Sequence, residues 1–301
     1  MRAPDESKVR MSYGNLRWAR RRDTLEKMQI SVRFYEDAAS VLATAGEFLR
    51  SRPVAHNMIL TLLEARLAHP EPARYWVALR ASQVIGLVFQ SPLTRPTLLV
   101  PMEPDAIEAL VEAIASKGTA LPGVSGEAAT AASFAGLWTE RCKTPAQPVM
   151  GLRLYELRNL QPIRPHDGAL RQAQASDRDL ATRWVREFNI EIHEPHGDFE
   201  KMTEAWIALG QIWLWENGSP VSMAVCRNPV EGIVRVSGVY TPPELRGRGY
   251  AEACVYEVSR RSIEAGHRPI LYTDLGNPTS NSIYRRIGYQ VVSEGLLYRF
   301  G

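Results

Sequence analysis

Cysteine is scarce in this chain. Cys142, Cys226 and Cys254 are the only three in 301 residues. That is an odd count, too small for a disulfide framework and without zinc-site spacing. Such usage suits a reducing cytoplasm. No apolar run comes near the roughly 18 residues that a membrane-crossing helix needs. The N-terminal stretch has charge but no apolar segment of the secretory type. Neither Gly-x-Gly-x-x-Gly nor Gly-x-x-x-x-Gly-Lys-Ser/Thr occurs, which sets aside the dinucleotide and P-loop classes. Excess charge is also lacking, the net value being +3. Residues 1–30 hold eight Lys/Arg against four acids, so that segment is +4 and the remainder is 3 − 4 = −1. A nearly neutral body gives no electrostatic reason to expect nucleic acid or a membrane surface as partner. The basic stretch 1–28 reads as a disordered leader.

What is present is an ordinary globular composition, 45% hydrophobic and 23% charged. The polar, Pro/Gly-containing stretch 159–168 reads as a linker. It divides the chain into a first domain, 29–160, and a second, 161–301, each of usual domain size.

The second half alternates strands and helices. A short strand at 169–173 leads to a helix in which Ser176 and Asp179 form a capping box. Leu180, Trp184 and Phe188 give that helix one apolar face. A second helix covers 199–208. Asn217-Gly218 between apolar runs marks a hairpin of 211–216 with 220–226. A strand at 233–240 is followed by a glycine-containing loop and a helix from Tyr250 to Glu264, stopped by Gly266. Then come a strand at 269–275, a short helix capped by Asn277 and Pro278, and a last strand from Tyr289 to Phe300. The first half repeats this plan weakly, with helices at 36–50 and 54–68, a hairpin-like pair at 75–79 and 84–90, a strand at 98–101 and helices at 104–116 and 127–142. In place of a glycine-rich turn it has Pro101-Met102-Glu103-Pro104.

The chemistry concentrates in the loop Arg246-Gly247-Arg248-Gly249-Tyr250-Ala251. A glycine-rich turn entering a helix exposes backbone N–H groups at the positive end of the helix dipole. Glycine permits φ > 0 and close approach, and the two arginines add charge for phosphate oxygens. The loop is therefore an anion site.

Arg246-x-x-Gly249-x-Ala251 resembles the Gln/Arg-x-x-Gly-x-Gly/Ala signature of the GNAT N-acetyltransferase superfamily. The later string from Thr273 through Asn277, Tyr284 and Gly288-Tyr289 resembles that family's Asn, then Tyr, then Gly-aromatic segment. The resemblance covers 165–301 well and the first half weakly. It implies an α/β mixed sheet of the GNAT acyl-CoA N-acyltransferase fold, with two tandem GNAT-like domains of which the first is degenerate. The fourth and fifth strands of the second would splay to admit acetyl-CoA as co-substrate. Val239, Tyr240 and Thr241 would offer main-chain groups to pantetheine. Residues Arg246, Gly247, Arg248, Gly249, Tyr250 and Ala251 would bind the pyrophosphate, and Asn277 the cofactor. Tyr284 falls at the family's general-acid position, where a phenol donates to the leaving thiolate. Some relatives carry a Glu on the fourth strand as base; Arg235 stands near that position here. Glu191, His193 and Glu194, on the segment between the first two helices of the second half, are the remaining base or acceptor-contact candidates. Their spacing is not that of a metal site. The cysteines lack sequence-adjacent His partners, so direct transfer to a small-molecule or peptide amine is expected rather than an acyl-enzyme. A non-catalytic acyl-CoA-binding or sensory protein is the rival.

Overall fold

The computed structural model describes residues 29–301, and the basic leader 1–28 lies outside the described residues. Two compact units emerge. The first takes residues up to Ser51, Leu62–Pro148 and Tyr298–Gly301; the second takes Arg52–Thr61 and Val149–Leu297. The second unit thus begins ahead of the 159–168 stretch, because the strand Ala146–Leu157 pairs along Arg268–Asp274. It also borrows a short segment from the first half of the chain.

The first unit runs β1 (Ile30–Tyr35), α1 (Ala38–Ser51), α2 (Asn57–Ala68), β2 (Arg74–Arg80), β3 (Gln83–Gln90), β4 (Thr97–Leu99), α3 (Pro104–Ala115), β5 (Gly123–Glu127) and α4 (Ala128–Cys142). β1, β2, β3 and β4 pair antiparallel in sequence, and β4 pairs parallel with β5. Trp76, Leu110, Phe134 and Trp138 anchor its core.

After β6 (Ala146–Leu157), the second unit runs β7 (Ala169–Gln172), α5 (Arg178–Glu191), α6 (Phe199–Ala208), β8 (Ile212–Asn217), β9 (Ser219–Cys226), β10 (Ile233–Tyr240), α7 (Tyr250–Glu264), β11 (Arg268–Asp274), α8 (Pro278–Ile287) and β12 (Tyr289–Phe300). β7 to β10 pair antiparallel in sequence, and β10 pairs parallel with β11. The order and pairing senses of the first unit recur here. α5 and α6 cover one face, with Trp184, Leu214, Met223 and Tyr240 in the core. α7 and α8 cover the other, over Tyr155, Val236, Val255, Leu271 and Tyr284.

Local chemistry explains most boundaries. α7 spans the expected residues and ends before Gly266, φ +81°. α8 begins where the Asn277 side chain accepts the Ser280 N–H at 3.0 Å and ends at Gly288, φ +108°. The capping box ahead of α5 is not Ser176/Asp179 but Gln174/Asp177. Arg171 on β7 grips the Asp177 carboxylate at 2.7 and 2.9 Å, which sets that acid where it accepts the Gln174 N–H. Three strands had no expectation from sequence: β1, β5 and β6.

Candidate functional site

β10 and β11 share a parallel ladder only from Ile233/Arg268 to Val236/Leu271. β11 continues along β6 as far as Asp274, while the register of β10 on β9 shifts between Ser237 and Tyr240. Among the described residues no ladder joins the two strands beyond that point, so a gap opens between them. Such an open strand edge is a template for an added extended chain. Gly238 permits the irregularity: its φ is +54°, and a Cβ there would stand 2.8 Å from the Val225 side chain. Of the three residues expected to offer main-chain groups, two already use their carbonyls. Ser222 Oγ donates to the Tyr240 carbonyl at 3.1 Å, and Arg246 Nε to the Thr241 carbonyl at 2.8 Å.

The loop at the mouth of this gap closes a tight turn, with the Leu245 N–H on Pro242 and the Arg246 N–H on Pro243. Gly247 and Gly249 follow at φ +76° and +80°. Gly249 is the N-cap of α7 and brings no side-chain cap. The first N–H groups of α7 consequently have no acceptor within the helix, and they lie at the positive end of its dipole. The His166 ring packs onto the Gly249 Cα where a Cβ would stand.

Arg246 is placed differently from expectation. Its N–H is consumed by the turn. Its guanidinium is divided between Thr241 and the Glu191 carboxylate, the latter at 2.5 Å. It braces the loop rather than presenting a free cation. Arg248 is exposed, with Nη2 on the Glu244 carbonyl at 3.3 Å.

Glu191, a base candidate, is therefore committed to Arg246. His193 takes φ +60° and ends α5: its N–H bonds the Ile190 carbonyl and the Glu194 N–H bonds Asn189. This is the Schellman pattern, with a histidine at the left-handed position usually held by Gly or Asn. Sequence reasoning missed Glu187, one turn earlier on α5. It accepts the Tyr240 hydroxyl at 2.9 Å. Burial, then that hydrogen bond, pushes the Tyr240 phenol up to about 12. The signal was legible as an i, i+4 pair of acids, Glu187 and Glu191, on one helix face.

Tyr284 projects from α8 into the core, only 7% exposed, edge-on to Tyr155 and Tyr289. Burial pushes its phenol up to about 12, against a Ser280 hydrogen bond that lowers it. Asn277 serves as the cap of α8. The buried Asn281 ties that helix down: its amide donates to the Asp274 and Asn277 carbonyls, and its oxygen accepts the Tyr155 hydroxyl at 3.0 Å. Burial also pushes the Cys254 and Cys226 thiols up, away from the thiolate that nucleophilic chemistry needs. Among the described residues no three His, Cys, Asp or Glu side chains gather as metal ligands. Nor is any helix among them long and apolar enough to cross a membrane.

A family model described as FR47-like protein matches residues 223–297, which hold β10, the glycine loop, α7, β11 and α8. No curated protein matches the sequence. Among solved structures, a GNAT-family acetyltransferase from Colwellia psychrerythraea is similar at 12% identity, TM-score 0.58, over 90% of this chain and 100% of that one. A GCN5-related N-acetyltransferase from Sphaerobacter thermophilus is similar at 16% identity, TM-score 0.60, over 90% and 95%. A Drosophila protein gives 14% identity, TM-score 0.62, over 90% and 98%. At such identities these likenesses speak for the fold. The chain thus has the mixed α/β fold of these acetyltransferase structures, and its FR47-like segment spans the glycine loop and Tyr284.

Proposed function

We propose that the second unit transfers the acetyl group of acetyl-CoA to a primary amine, by direct attack in a ternary complex. One observation carries this: β10 parts from β11 beside the bare, glycine-built N-terminus of α7. A gap for an extended arm and an anion cradle at its mouth match pantetheine and pyrophosphate. The arm pairs with the open edge of β10 near Val239. The N–H groups of Gly247 to Ala251 take the pyrophosphate, and Asn277 adds a cofactor contact to its capping role.

The amine attacks the thioester carbonyl carbon, whose oxygen is polarised by backbone N–H groups near Val239 and Tyr240. As the C–S bond breaks, Tyr284 donates to the leaving sulfur. A phenol near 12 lies above the roughly 8.5 of a thiol, so this donation stabilises the thiolate more than it neutralises it. The amine's proton passes to Glu187 near the end of α5 or Glu194 just past it, and on to solvent, Glu191 being held by Arg246. The acceptor is a small molecule or peptide, with neither nucleic acid nor membrane as partner, and the protein works in the cytoplasm.

The first unit is a degenerate GNAT-like copy. Its α3 opens with Pro104, which has no N–H, flanked by Glu103 and Asp105, and both acids repel an anion there. The rival, an acyl-CoA-binding protein without turnover, draws on Arg235 standing where some relatives carry a basic Glu. Isothermal titration with acetyl-CoA separates the cases. Absence of binding sinks both; binding without CoA release across an amine panel favours the rival.

A further inference from the structure

The fourth-strand position that failed to supply a base holds something else. Arg235 and Arg227 lie opposite one another where β9 and β10 run together, the Arg227 N–H bonding the Arg235 carbonyl at 3.0 Å. Directly opposed residues of an antiparallel pair project to one face, and like charges so placed repel. The face is that of α5 and α6, because Arg227 stacks over the Trp206 ring of α6 at 4.1 Å. Arg235 is only 9% exposed. Its Nη1 points at the Met58 sulfur, 2.8 Å away, a weak acceptor. Arg227 reaches the Gln211 side chain at 3.3 Å, while its buried Nε has no partner. Among the described residues no carboxylate enters the charge environment of either guanidinium. Burial and the Arg235 charge push Arg227 down to about 10. Around them are Tyr272, which the Arg235 charge reaches, and the apolar cluster of Leu154, Ile233, Ile270 and Val54.

Buried charges in proteins are ordinarily paired. Two cations sharing one face without an anion are therefore incomplete by themselves. Their position supplies the missing partner. Arg235 precedes Val236, the last β10 residue laddered to β11, so the pair sits at the root of the gap. An acetyl group carried on an arm laid in that gap would end nearby.

We propose that Arg235 and Arg227 bind the carboxylate of the acceptor, which makes the acceptor a small amino carboxylic acid rather than a simple amine. The assignment deepens the acetyltransferase reading and rests on it. Guanidinium groups suit a planar oxyanion, and the acceptor's negative charge removes the repulsion between them. The amine of the same molecule is then held on the α5/α6 side of the thioester.

The test uses the full chain and a panel of amino acids, each matched with its own carboxamide at equal ionic strength. Melting temperature is measured first, without cofactor. The free acids should raise it and the amides should not. The rise should be lost in Arg235→Met and in Arg227→Gln, the second being the part-exposed position and the safer variant for folding. Equal rises for acids and amides, or rises unchanged in both variants, overturn the anion site. CoA release is measured next. The acids should exceed their amides in kcat/KM by about tenfold or more, the scale of one lost hydrogen bond to a charged group. In the variants KM for the acid should rise while acetyl-CoA affinity by calorimetry holds. Amides used as well as acids overturn the acceptor role. Failure of acetyl-CoA to bind, with the acid-specific melting rise retained, overturns the acceptor role through the failure of the acetyltransferase reading and leaves an anion site.

Discussion

The hydroxyl of Tyr240 donates to the Glu187 carboxylate at 2.9 Å, joining the end of β10 to the middle of α5. The Arg246 guanidinium lies 5.8 Å from the ring of the same tyrosine and reaches Glu191 one turn further along the helix. The glycine loop, the end of β10 and α5 are thus tied through two carboxylates. Glu187→Gln removes the charge that disfavours the phenolate. The Tyr240 titration, followed by phenolate absorbance, should then move down from about 12. Turnover should fall as well, because the amine loses one of its nearby proton acceptors. A Tyr240 titration that stays in place means the hydrogen bond does not form in solution.

Tyr284→Phe should lower kcat by about a hundredfold, within the span usual for a positioned acid. The affinity for acetyl-CoA, read by calorimetry, should be little changed. Because burial holds the phenol up to about 12, it stays protonated through neutral and mildly alkaline pH. The wild-type rate should therefore show no alkaline fall below about pH 10 from this group. Unchanged turnover in the variant would remove Tyr284 from the chemistry.

The two loop glycines should respond unequally. A side chain at Gly247 meets open space, so Gly247→Ala suffers only the left-handed backbone, about 1 kcal/mol. At Gly249 the backbone strain is joined by collision with the His166 ring. Gly249→Ala should lose stability by clearly more and should weaken acetyl-CoA binding, since the loop must move. Thermal melting and calorimetry on the two variants decide; equal effects would mean that His166 yields freely.

The Arg171 guanidinium holds the Asp177 carboxyl below the usual carboxylate range, outweighing burial. A depressed folded-state value contributes stability above the unfolded pKa of about 3.9 and loses it as pH falls through the lower, folded one. Asp177→Asn should therefore be less stable near neutrality by about 1 kcal/mol. The gap to wild type should narrow as pH drops below about 4. Denaturant midpoints across that range measure it. A gap that stays constant with pH would assign the loss to the Gln174 cap alone.

Arg235→Met should stabilise the unliganded protein, by about 1 kcal/mol, because a buried cation without a counter-ion gives way to an apolar chain of similar size. Chemical denaturation without ligand reads this directly. A strongly destabilised variant would show that Arg235 is satisfied in the unliganded protein.

Helix and turn signals proved legible in the sequence. The α7 boundaries, the Asn277 cap and the Asn217-Gly218 hairpin follow from local chemistry, because caps and left-handed turns are decided within a few residues. The glycine-rich turn into α7 was legible for the same reason: its glycines and the helix behind them are neighbours in the chain. β1, β5 and β6 were not, since a strand is defined by a partner remote in sequence and their alternation is weak. The capping box moved from Ser176 to Gln174 because Arg171, on another element, claimed Asp177. Only the tertiary structure could commit Arg246 and Glu191 to each other, bring Glu187 to Tyr240, and set Arg227 beside Arg235. Those pairings depend on the packing of α5 on the sheet and on strand register. The sequence by itself thus determined that a glycine-rich turn enters a helix and that a second, Asn-capped helix bearing Tyr284 follows. The fold decided that Arg246 and Glu191 neutralise one another and that Arg227 and Arg235, on paired strands, face each other with no carboxylate among the described residues in their charge environment.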